Sequence, residues 1–343
     1  MQTYRLALIG FGNVGQGLAK ILRDNGEQLA QRYGVQLPIV AVTDLQKGSI
    51  FQPDGLDPAL LIETVQRGDH LQQLPAAHHG WDALETINNC NADIILELSY
   101  TDLATGEPAL THMRAALQKG KHVVTTNKGP IALNYQQLSA LARENQVQIG
   151  AEGTVMSGTP AIRMGLEQLA AAGITRIQGI LNGTTNYILT QIEAGATYAE
   201  ALSDAQERGY AEADPTGDVE GIDAAGKAVI LANLIMNAPL TMDDVDCVGI
   251  TALTADHIAQ AKSAGERWKL IAAVDHTGDS IRATVRPVRL PLTHPLAAVN
   301  GATNAITYST QLLGDVTLVG PGAGRIETGY ALIEDILGIL RST

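Results

Sequence analysis

The chain has 343 residues, of which 45% are hydrophobic and 17% are charged, and its formal net charge is −13 at pH 7. This length predicts two domains rather than one core, and the composition is that of a soluble globular enzyme. The negative charge, without any basic patch, argues against nucleic acids and anionic membranes as partners, because both require clustered Lys and Arg.

Three features of the sequence bear on its location. The apolar runs are much shorter than a membrane span. The N-terminus leads directly into a predicted strand, so no signal peptide is expected. Cys90 and Cys247 are far apart and form no CxxC motif, which fits a reducing compartment. We therefore expect a cytoplasmic protein.

The N-terminal segment has the pattern of a dinucleotide-binding strand, loop and helix. An apolar strand over residues 4–9 leads into Gly-x-Gly-x-x-Gly, and a helical stretch follows. The first glycine allows the tight turn, the second lets the backbone approach a pyrophosphate, and the third lets helix and strand pack closely. The phosphates bind at the helix N-terminus. The motif predicts binding of NAD or NADP by Gly10, Phe11, Gly12, Asn13, Val14 and Gly15.

The second predicted strand, residues 38–44, ends in an acidic residue. Asp44 at that position would bind the ribose hydroxyls and favour NAD. However, Asp44 comes later after the glycines than the usual spacing of about 20 residues. Lys47 is also near enough in sequence to receive a 2′-phosphate. The sequence therefore leaves the choice between NAD and NADP open.

Strands and helices alternate through the rest of the first part. Further strands are predicted over 93–98, 122–126 and 147–150, and further helices over 58–67, 109–119 and 135–144. This alternation predicts an α/β domain with a Rossmann-type, doubly wound parallel sheet and right-handed crossovers.

The second part has a different pattern. Thr159 and Pro160 suit the N-cap and first position of a helix over 160–171. Helices and strands then follow in an order typical of an α+β domain with a mixed or antiparallel sheet, and a final helix after Gly320–Gly324 runs towards Leu340. We expect a nucleotide-binding domain over 1–132, completed by 318–343, and a second domain over 133–317.

Three loops follow predicted strands, where open α/β sheets bind ligands. The loop containing Thr101 has small hydroxyls suited to the nicotinamide side of a cofactor. Lys128 would bind an anion or polarise a carbonyl. Alternatively, it would only cap the next helix, and the residues around it favour neither interpretation. The loop 151–160 would bind an anion at the following helix or, through Glu152 and free carbonyls, a hard cation such as Na⁺.

The segment 209–227 gathers acidic side chains around a Pro-Gly turn that opens a helix. Glu212, Asp214 and Asp218 precede the helix, and Asp223 and Lys227 lie four residues apart within it. Such a spacing puts both side chains on one helix face, with the acid before the base as preferred. An arbitrary pair of this kind is a solvated ion pair of small energy. Here the acidic turn and the N-terminal loop favour a functional cluster.

Five segments resemble the homoserine dehydrogenase family, and they occur in the family's order along nearly the whole chain. Residues 205–227 fill every fixed position of the family's signature. The other four segments are Thr105-Gly-Glu-Pro, Thr126-Asn-Lys-Gly-Pro, Leu181-Asn-Gly-Thr-Thr-Asn and Gly320-Pro-Gly-Ala-Gly. Five matches in order are not expected by chance.

The resemblance implies NAD(P)-dependent interconversion of L-homoserine and L-aspartate 4-semialdehyde, in threonine, methionine and isoleucine biosynthesis. It makes Lys227 the proton donor, with Asp223 beside it. It assigns substrate binding to Glu212, Asp218, Asp223 and Lys128. It also brings Lys128, Gly209 and Gly324 to the cofactor. The second domain would then serve catalysis and dimerisation, in a homodimer.

The resemblance also implies a monovalent cation, Na⁺ or K⁺, bound by Glu152 and by the backbones of Val155, Ser157 and Thr159. The family's usual loop is richer in glycine, and Met156, Ser157 and Thr159 depart from it. The resemblance therefore supports this cation site less strongly than the catalytic cluster.

Many members of the family carry an N-terminal kinase or a C-terminal regulatory domain. This sequence begins in the first predicted strand and ends at Thr343, so it is expected to be a short form without either.

Two other functions compete with this interpretation. A different NAD(P)-dependent oxidoreductase, acting on a sugar or another aldehyde, would be active on polyols and would lack partners for an amino group. A redox sensor that binds NAD(H) and a protein partner would need the glycine fingerprint. Such a sensor would have no need for Lys227 and the acidic turn.

Overall fold

A computed structural model describes residues 1–278 and 280–341. The strands are β1 (Gln2–Thr3), β2 (Leu6–Ile9), β3 (Val35–Gln36), β4 (Ile39–Asp44), β5 (Gly48–Phe51), β6 (His78–His79), β7 (Ile94–Glu97), β8 (His122–Thr125), β9 (Ile149–Gly150), β10 (Ile174–Ile180), β11 (Val245–Cys247), β12 (Glu266–Thr277), β13 (Ser280–Pro291), β14 (Thr303–Thr310) and β15 (Gly314–Pro321). The helices are α1 (Asn13–Tyr33), α2 (Pro58–Gln66), α3 (Ala83–Asn89), α4 (Ala109–Gln118), α5 (Lys128–Glu144), α6 (Gly153–Met156), α7 (Ala161–Arg163), α8 (Gly183–Glu193), α9 (Tyr198–Glu207), α10 (Thr216–Val219), α11 (Ile222–Ile235), α12 (Ala255–Ser263) and α13 (Arg325–Arg341).

These elements form two compact units. The first is Met1–Gly158 with Gly324–Thr343, and the second is Thr159–Ala323. The division lies later than the expected boundary after residue 132, because helix α5 leads into β9, the last strand of the first unit's parallel sheet. The return to the first unit also comes later than residue 318, because β15 belongs to the sheet of the second unit.

The first unit is built on a seven-stranded sheet in the order β6-β5-β4-β2-β7-β8-β9. The five strands from β4 to β9 in this order are parallel. Strands β2 and β4 are apolar and buried because helices cover the sheet. The predicted α/β class with a doubly wound parallel sheet is confirmed. Two antiparallel strands, β5 and β6, extend one edge of the sheet, and neither is among the predicted strands.

The second unit contains a six-stranded sheet in the order β11-β13-β12-β10-β14-β15. All pairs are antiparallel except β11 with β13, so the sheet is mixed, as predicted. Strands β12 and β13 have 12 residues each, and they are longer than the strands expected over 270–274 and 281–287. Strand β15 was not predicted. It is a largely exposed edge strand, and its sequence therefore lacks the buried apolar face that identifies a strand.

Two helix starts differ from the expectations. Helix α5 begins at Lys128 rather than at residue 135, and it is kinked at Asn134. Gly129 and Pro130 read as helix breakers, but proline is tolerated in the first turn, where its N–H has no helical partner. Thr159 is not an N-cap, since helix α7 begins at Ala161 and is followed by a π-helical turn, while the Thr159 hydroxyl donates to the carbonyl of Pro321.

The second unit also buries a lysine that the sequence analysis did not single out. Lys269 on β12 is 1% exposed, and its ammonium donates to Asn186 Oδ1 (2.9 Å) and to the carbonyl of Val299 (2.5 Å). Burial lowers the pKa of Lys269 from 10.5 to about 8. The charged form is therefore disfavoured in the folded protein relative to the unfolded chain.

Because the pKa of Lys269 is lowered by folding, we expect the free energy of unfolding to rise with pH. At pH values between the pKa of Lys269 in the folded protein and its pKa in the unfolded chain, the unfolded chain binds more protons at this site. A rise in pH over this range therefore favours the folded state. From about pH 7 to about pH 9.5, the free energy of unfolding should rise by about 2 kcal/mol more in the wild type than in Lys269→Met. Urea unfolding of both proteins measures this difference. Parallel pH profiles would contradict the assignment.

Within residues 1–278 and 280–341, no helix has the length and apolarity needed to cross a membrane. The same part of the chain contains no cluster of three His, Cys, Asp or Glu residues suited to a metal ion.

Candidate functional site

The glycine-rich loop between β2 and α1 is shaped by close backbone packing. Gly10 has a φ of +104°, and its N–H donates to the carbonyl of Thr43 (2.7 Å). A Cβ at Gly10 would overlap the carbonyl of Leu98, and a Cβ at Gly15 would lie 2.9 Å from the carbonyl oxygen of Gly10. The first and third glycines are therefore required by the turn and by the contact between helix and strand.

Gly12 has a different environment. A Cβ at this position would meet no atom within 4 Å. Gly12 is the N-cap of α1, where no side chain caps the helix and the first turn has no acidic residue. Phe11 is fully buried in the core, whereas Asn13 is exposed. Open space beside uncapped N–H groups at a helix N-terminus is what a pyrophosphate requires, so the loop and the following Val14 fit a dinucleotide.

Asp44 lies against this loop despite its late position in the sequence. Its Oδ2 accepts the N–H of Phe11 (2.8 Å), and its Oδ1 accepts the N–H groups of Gln46 (3.0 Å) and Lys47 (2.9 Å). The ammonium of Lys47 lies 3.5 Å from Oδ1. The long helix α1 and the short strand β3 account for the additional residues before Asp44.

The charge of Asp44 is stabilised by these neighbours. Burial raises the pKa of this carboxyl, but the three backbone N–H groups and the Lys47 ammonium lower it by more, so the pKa lies below its ordinary value. A carboxylate with this environment is ionised at neutral pH. Asp44 therefore carries its negative charge at neutral pH, beside the Lys47 ammonium.

Lys128 and Thr101 belong to two segments that Asn127 connects. Lys128 is the first residue of α5, and the side chain of Asn127 is the N-cap, accepting the N–H of Gly129 (3.2 Å). Lys128 is therefore not the capping residue. Asn127 Nδ2 also donates to the carbonyls of Ser99 (3.2 Å) and Tyr100 (2.9 Å), directly before the exposed Thr101. Sequence reasoning missed Asn127, although an asparagine between a strand and a helix start is a typical cap.

The side chain of Asn127 also contacts a fully buried carboxylate. Glu97 at the end of β7 accepts bonds from the Ser99 hydroxyl, His112 Nδ1 (3.2 Å) and Asn127 Nδ2 (3.3 Å). This network holds the ends of β7 and β8 together at the carboxyl edge of the sheet. It fixes the backbone from which both Thr101 and Lys128 extend.

The residues expected to hold a cation are divided between the two units. Glu152, Val155 and Ser157 are buried in the first unit, and Thr159 begins the second. The N–H of Glu152 donates to Asp335 Oδ2 (2.9 Å). Ser157 has a φ of +53° and a ψ of −122°, a conformation that glycine adopts more readily, and its hydroxyl bonds to that of Thr328 (2.7 Å). The structure therefore explains why a glycine-rich sequence suits this loop.

The second unit contains the lysine–carboxylate cluster. Lys227 Nζ lies 2.8 Å from Asp223 Oδ2 and donates to the carbonyl of Leu181 (2.6 Å). Its side chain is 9% exposed and that of Asp223 is 18% exposed. The pair is therefore not a solvated surface ion pair. Taking these charges out of water is costly unless each is paired, which the contacts provide.

Asn182 joins this pair to a second carboxylate. Its Nδ2 donates to both Asp218 Oδ1 (2.6 Å) and Asp223 Oδ2 (3.0 Å), and its Oδ1 accepts the N–H of Thr185 as the N-cap of α8. Burial and the neighbouring Asp223 raise the pKa of Asp218, against the lowering effect of the Asn182 amide. The sequence analysis used the segment beginning at Leu181 only as part of the family resemblance, and it predicted no role for Asn182.

Two other expected residues of this unit lie outside the cluster. Glu212 has an exposed side chain. Gly209 has a φ of +74° and ends helix α9 in the left-handed conformation. Its local role is thus helix termination. Gly324, in the first unit, precedes α13 with a φ of +139°.

Comparison with known proteins agrees with this arrangement. Residues 10–152 match the family model described as homoserine dehydrogenase, NAD binding domain, and residues 160–337 match the model of homoserine dehydrogenase. The chain is 50% identical over 345 residues to an NAD(+)-dependent homoserine dehydrogenase from Pseudomonas canavaninivorans, covering 100% of this chain and 97% of the relative. It is 39% identical to a homoserine dehydrogenase from Methanocaldococcus jannaschii, covering 98% of this chain and 99% of the relative.

A solved structure shows the same similarity. A hyperthermophilic archaeal homoserine dehydrogenase mutant in complex with NADPH superimposes with a TM-score of 0.85 at 30% identity, over 99% of this chain and 98% of that one. Both units are therefore matched, in sequence and in fold. The chain belongs to the homoserine dehydrogenase family.

Proposed function

We propose that this chain catalyses the NAD(P)-dependent interconversion of L-homoserine and L-aspartate 4-semialdehyde. The observation that carries the proposal is the buried Lys227–Asp223 pair, held by Leu181 and Asn182. A dinucleotide sensor would have no use for such a pair, which is costly to bury. Membership of a family of NAD(P)-dependent oxidoreductases that act on a CH–OH group supports the same reaction.

Lys227 is proposed to handle the proton of the reaction. The nicotinamide, when bound, accepts or supplies the hydride. When the aldehyde is reduced, its oxygen must gain a proton, which the Lys227 ammonium donates, and the developing alkoxide charge needs a cation. In the reverse direction the neutral amine of Lys227 accepts the proton of the alcohol. Bonds of 2.6 Å to Leu181 and 2.8 Å to Asp223 orient Nζ before any substrate binds. Such preorganisation makes the ammonium more effective than a mobile surface lysine.

The carboxylates are proposed to bind the amino group of the substrate. Asp223 and Asp218 share the amide of Asn182, so their positions are fixed relative to each other. Glu212 supplies a third carboxylate from the preceding turn in this proposal. Lys128 is assigned to both substrate and cofactor. An amino acid zwitterion needs partners of both signs, whereas a sugar would need neither charge.

The proposed cofactor residues are Gly10, Phe11, Gly12, Asn13, Val14, Gly15, Thr101, Lys128, Gly209 and Gly324. The support differs among these residues. Open space at Gly12 and the uncapped N-terminus of α1 support the assignment of the loop residues. The assignment of Gly209 and Gly324 rests only on the family resemblance. NAD is the proposed preference, because the ionised Asp44 would repel a 2′-phosphate. The relative from Pseudomonas canavaninivorans is described as NAD(+)-dependent, which supports this choice.

A monovalent cation, Na⁺ or K⁺, is proposed at Glu152 and the backbones of Val155, Ser157 and Thr159. Irregular backbone that frees carbonyl oxygens suits such a hard ion. Assays in sodium, potassium and tetramethylammonium buffers test the proposal. Equal rates in all three would remove the cation from it.

We propose a homodimer in the cytoplasm. The support within the chain is the outer edge of β15, an end strand whose hairpin exposes Leu312 (75%) and Leu313 (64%). The edge of an end strand can pair with another strand, and these leucines lie in the turn beside it. Light scattering should give about twice the chain mass of 36.2 kDa. A mass of one chain would contradict the dimer.

The deciding experiment is oxidation of L-homoserine by the purified protein, followed through the absorbance of the reduced cofactor. NAD⁺ and NADP⁺ are tested separately, and D-sorbitol and L-serine serve as control substrates. Activity on homoserine alone supports the proposal. Activity on the polyol would favour the sugar dehydrogenase, and tight NADH binding without oxidation of any substrate would favour the sensor.

A further inference from the structure

The first turns of helix α13 lie directly against the first turns of helix α1, in the first unit. A Cβ on Gly17 of α1 would overlap the carbonyl oxygen of Arg325, and a Cβ on Gly329 would lie 2.7 Å from the backbone nitrogen of Leu18. The two backbones are therefore in contact at a pair of glycines. This contact places Arg325, the first residue of α13, beside Gly17, which is one helical turn after the start of α1.

The side chain of Arg325 runs from this contact towards the glycine-rich loop. Arg325 Nη2 donates to Oδ1 of Asn13 (2.8 Å), and Asn13 is the first residue of α1, directly after Gly12. Within the described residues, this is the only hydrogen bond of the guanidinium, although the group has five N–H donors. A cation from the C-terminal segment thus stands beside the uncapped N-terminus of α1.

We infer that Arg325 is a further binding residue for the pyrophosphate of the dinucleotide. A planar guanidinium donates to phosphate oxygens in a bidentate manner, with bonds stronger than those between neutral groups. The helix N-terminus and Gly12 supply N–H groups and open space but no full positive charge. Arg325 supplies that charge, and Asn13 orients it. The inference rests on dinucleotide binding at this loop.

The test is direct binding of ADP-ribose, which carries the pyrophosphate but no nicotinamide, to the purified full chain by titration calorimetry. The variants are Arg325→Gln, Arg325→Lys and the control Arg32→Gln, which removes an exposed arginine at the opposite end of α1. We expect Arg325→Gln to raise the dissociation constant about tenfold, with Arg325→Lys between it and the wild type. Arg32→Gln should change it by less than about twofold.

Two further readouts separate a phosphate contact from a structural tie to Asn13. The difference between wild type and Arg325→Gln should shrink at high salt, because mobile ions screen the exposed charge. The melting temperature of the ligand-free variant should stay within about 2 °C of the wild type, because one exposed hydrogen bond contributes little.

The inference is overturned if Arg325→Gln binds ADP-ribose as tightly as the wild type at low salt. It is also overturned if the loss is the same at all salt concentrations and accompanies a lowered melting temperature. If the wild type oxidises homoserine in either case, the proposed function stands without this residue. If the wild type binds neither ADP-ribose nor NADH, both the function and the inference fail.

Discussion

Replacing Lys227 by glutamine is expected to lower kcat for homoserine oxidation roughly a thousandfold, the range for losing a positioned acid or an alkoxide-stabilising donor. Glutamine cannot exchange the substrate proton and carries no charge. It can still donate to the Leu181 carbonyl or to Asp223, both of which contact the ammonium. The dissociation constant of NADH should change little, because the proposed pyrophosphate site at the N-terminus of α1 does not include Lys227.

The matched control is Lys262→Gln, which removes an exposed lysine of the same unit whose ammonium bonds only weakly to the carbonyl of Glu193 (3.3 Å). Its turnover should equal that of the wild type. Circular dichroism and the melting temperature check that Lys227→Gln is folded. Near-normal turnover by a folded Lys227→Gln would rule out the proposed role.

Loss of the Lys227 charge breaks the ion pair with Asp223, and removing one member of a buried pair costs several kcal/mol. If Lys227→Gln alone does not fold, the double variant Lys227→Gln with Asp223→Asn removes both charges. Its kcat should be at least as low as that of Lys227→Gln. Substantial turnover in the double variant would again exclude Lys227 as the proton donor.

Local sequence signals were sufficient to predict much of the fold. The apolar strand, the three glycines and the amphipathic helix are contiguous, so one short segment carries the whole pattern. The Asp223–Lys227 pair was also predictable, because an i,i+4 spacing on a helix determines which side chains meet. These features needed no knowledge of distant contacts.

Two of the residues that the sequence analysis missed, Asn182 and Arg325, act over long separations. Asn182 bonds to Asp218 and Asp223, which lie 36 and 41 residues later in the sequence. Arg325 bonds to Asn13 from the other end of the chain. No periodicity encodes such pairs. Strand β15 was missed for a related reason, since an edge strand needs few buried residues and so has a weak pattern.

Asp44 illustrates both the use and the limit of a motif. Its position after a buried strand predicted a ribose contact, but the spacing rule argued against it. The structure shows its carboxylate on the N–H of Phe11 (2.8 Å), so the loop and the acid meet regardless of the length of the helix between them. The spacing rule describes an average helix, whereas α1 has 21 residues.

The wild type is expected to use NAD in preference to NADP, and Asp44→Ser is expected to shift the ratio of kcat/KM values towards NADP by about 10- to 100-fold. Two like charges a few ångströms apart near a protein surface repel each other by about 1–4 kcal/mol, depending on the effective dielectric constant, and each 1.4 kcal/mol is about tenfold. Serine retains an oxygen that can accept the N–H of Phe11, so the loop keeps its support. It also removes the ion-pair partner of Lys47, whose ammonium is then available to a 2′-phosphate.

The sign of this shift follows from the charges alone, and two further variants test each charge separately. Lys47→Gln removes the cation but leaves the ionised Asp44, so the use of NADP should fall below that of the wild type. Asp54→Ser removes an exposed carboxylate of the same unit away from the loop, and the ratio should not change. A wild type that prefers NADP, or an Asp44→Ser variant with an unchanged ratio, would show that Asp44 only supports the Phe11 backbone. In that case the cofactor would be selected by groups other than the carboxylate at the end of β4.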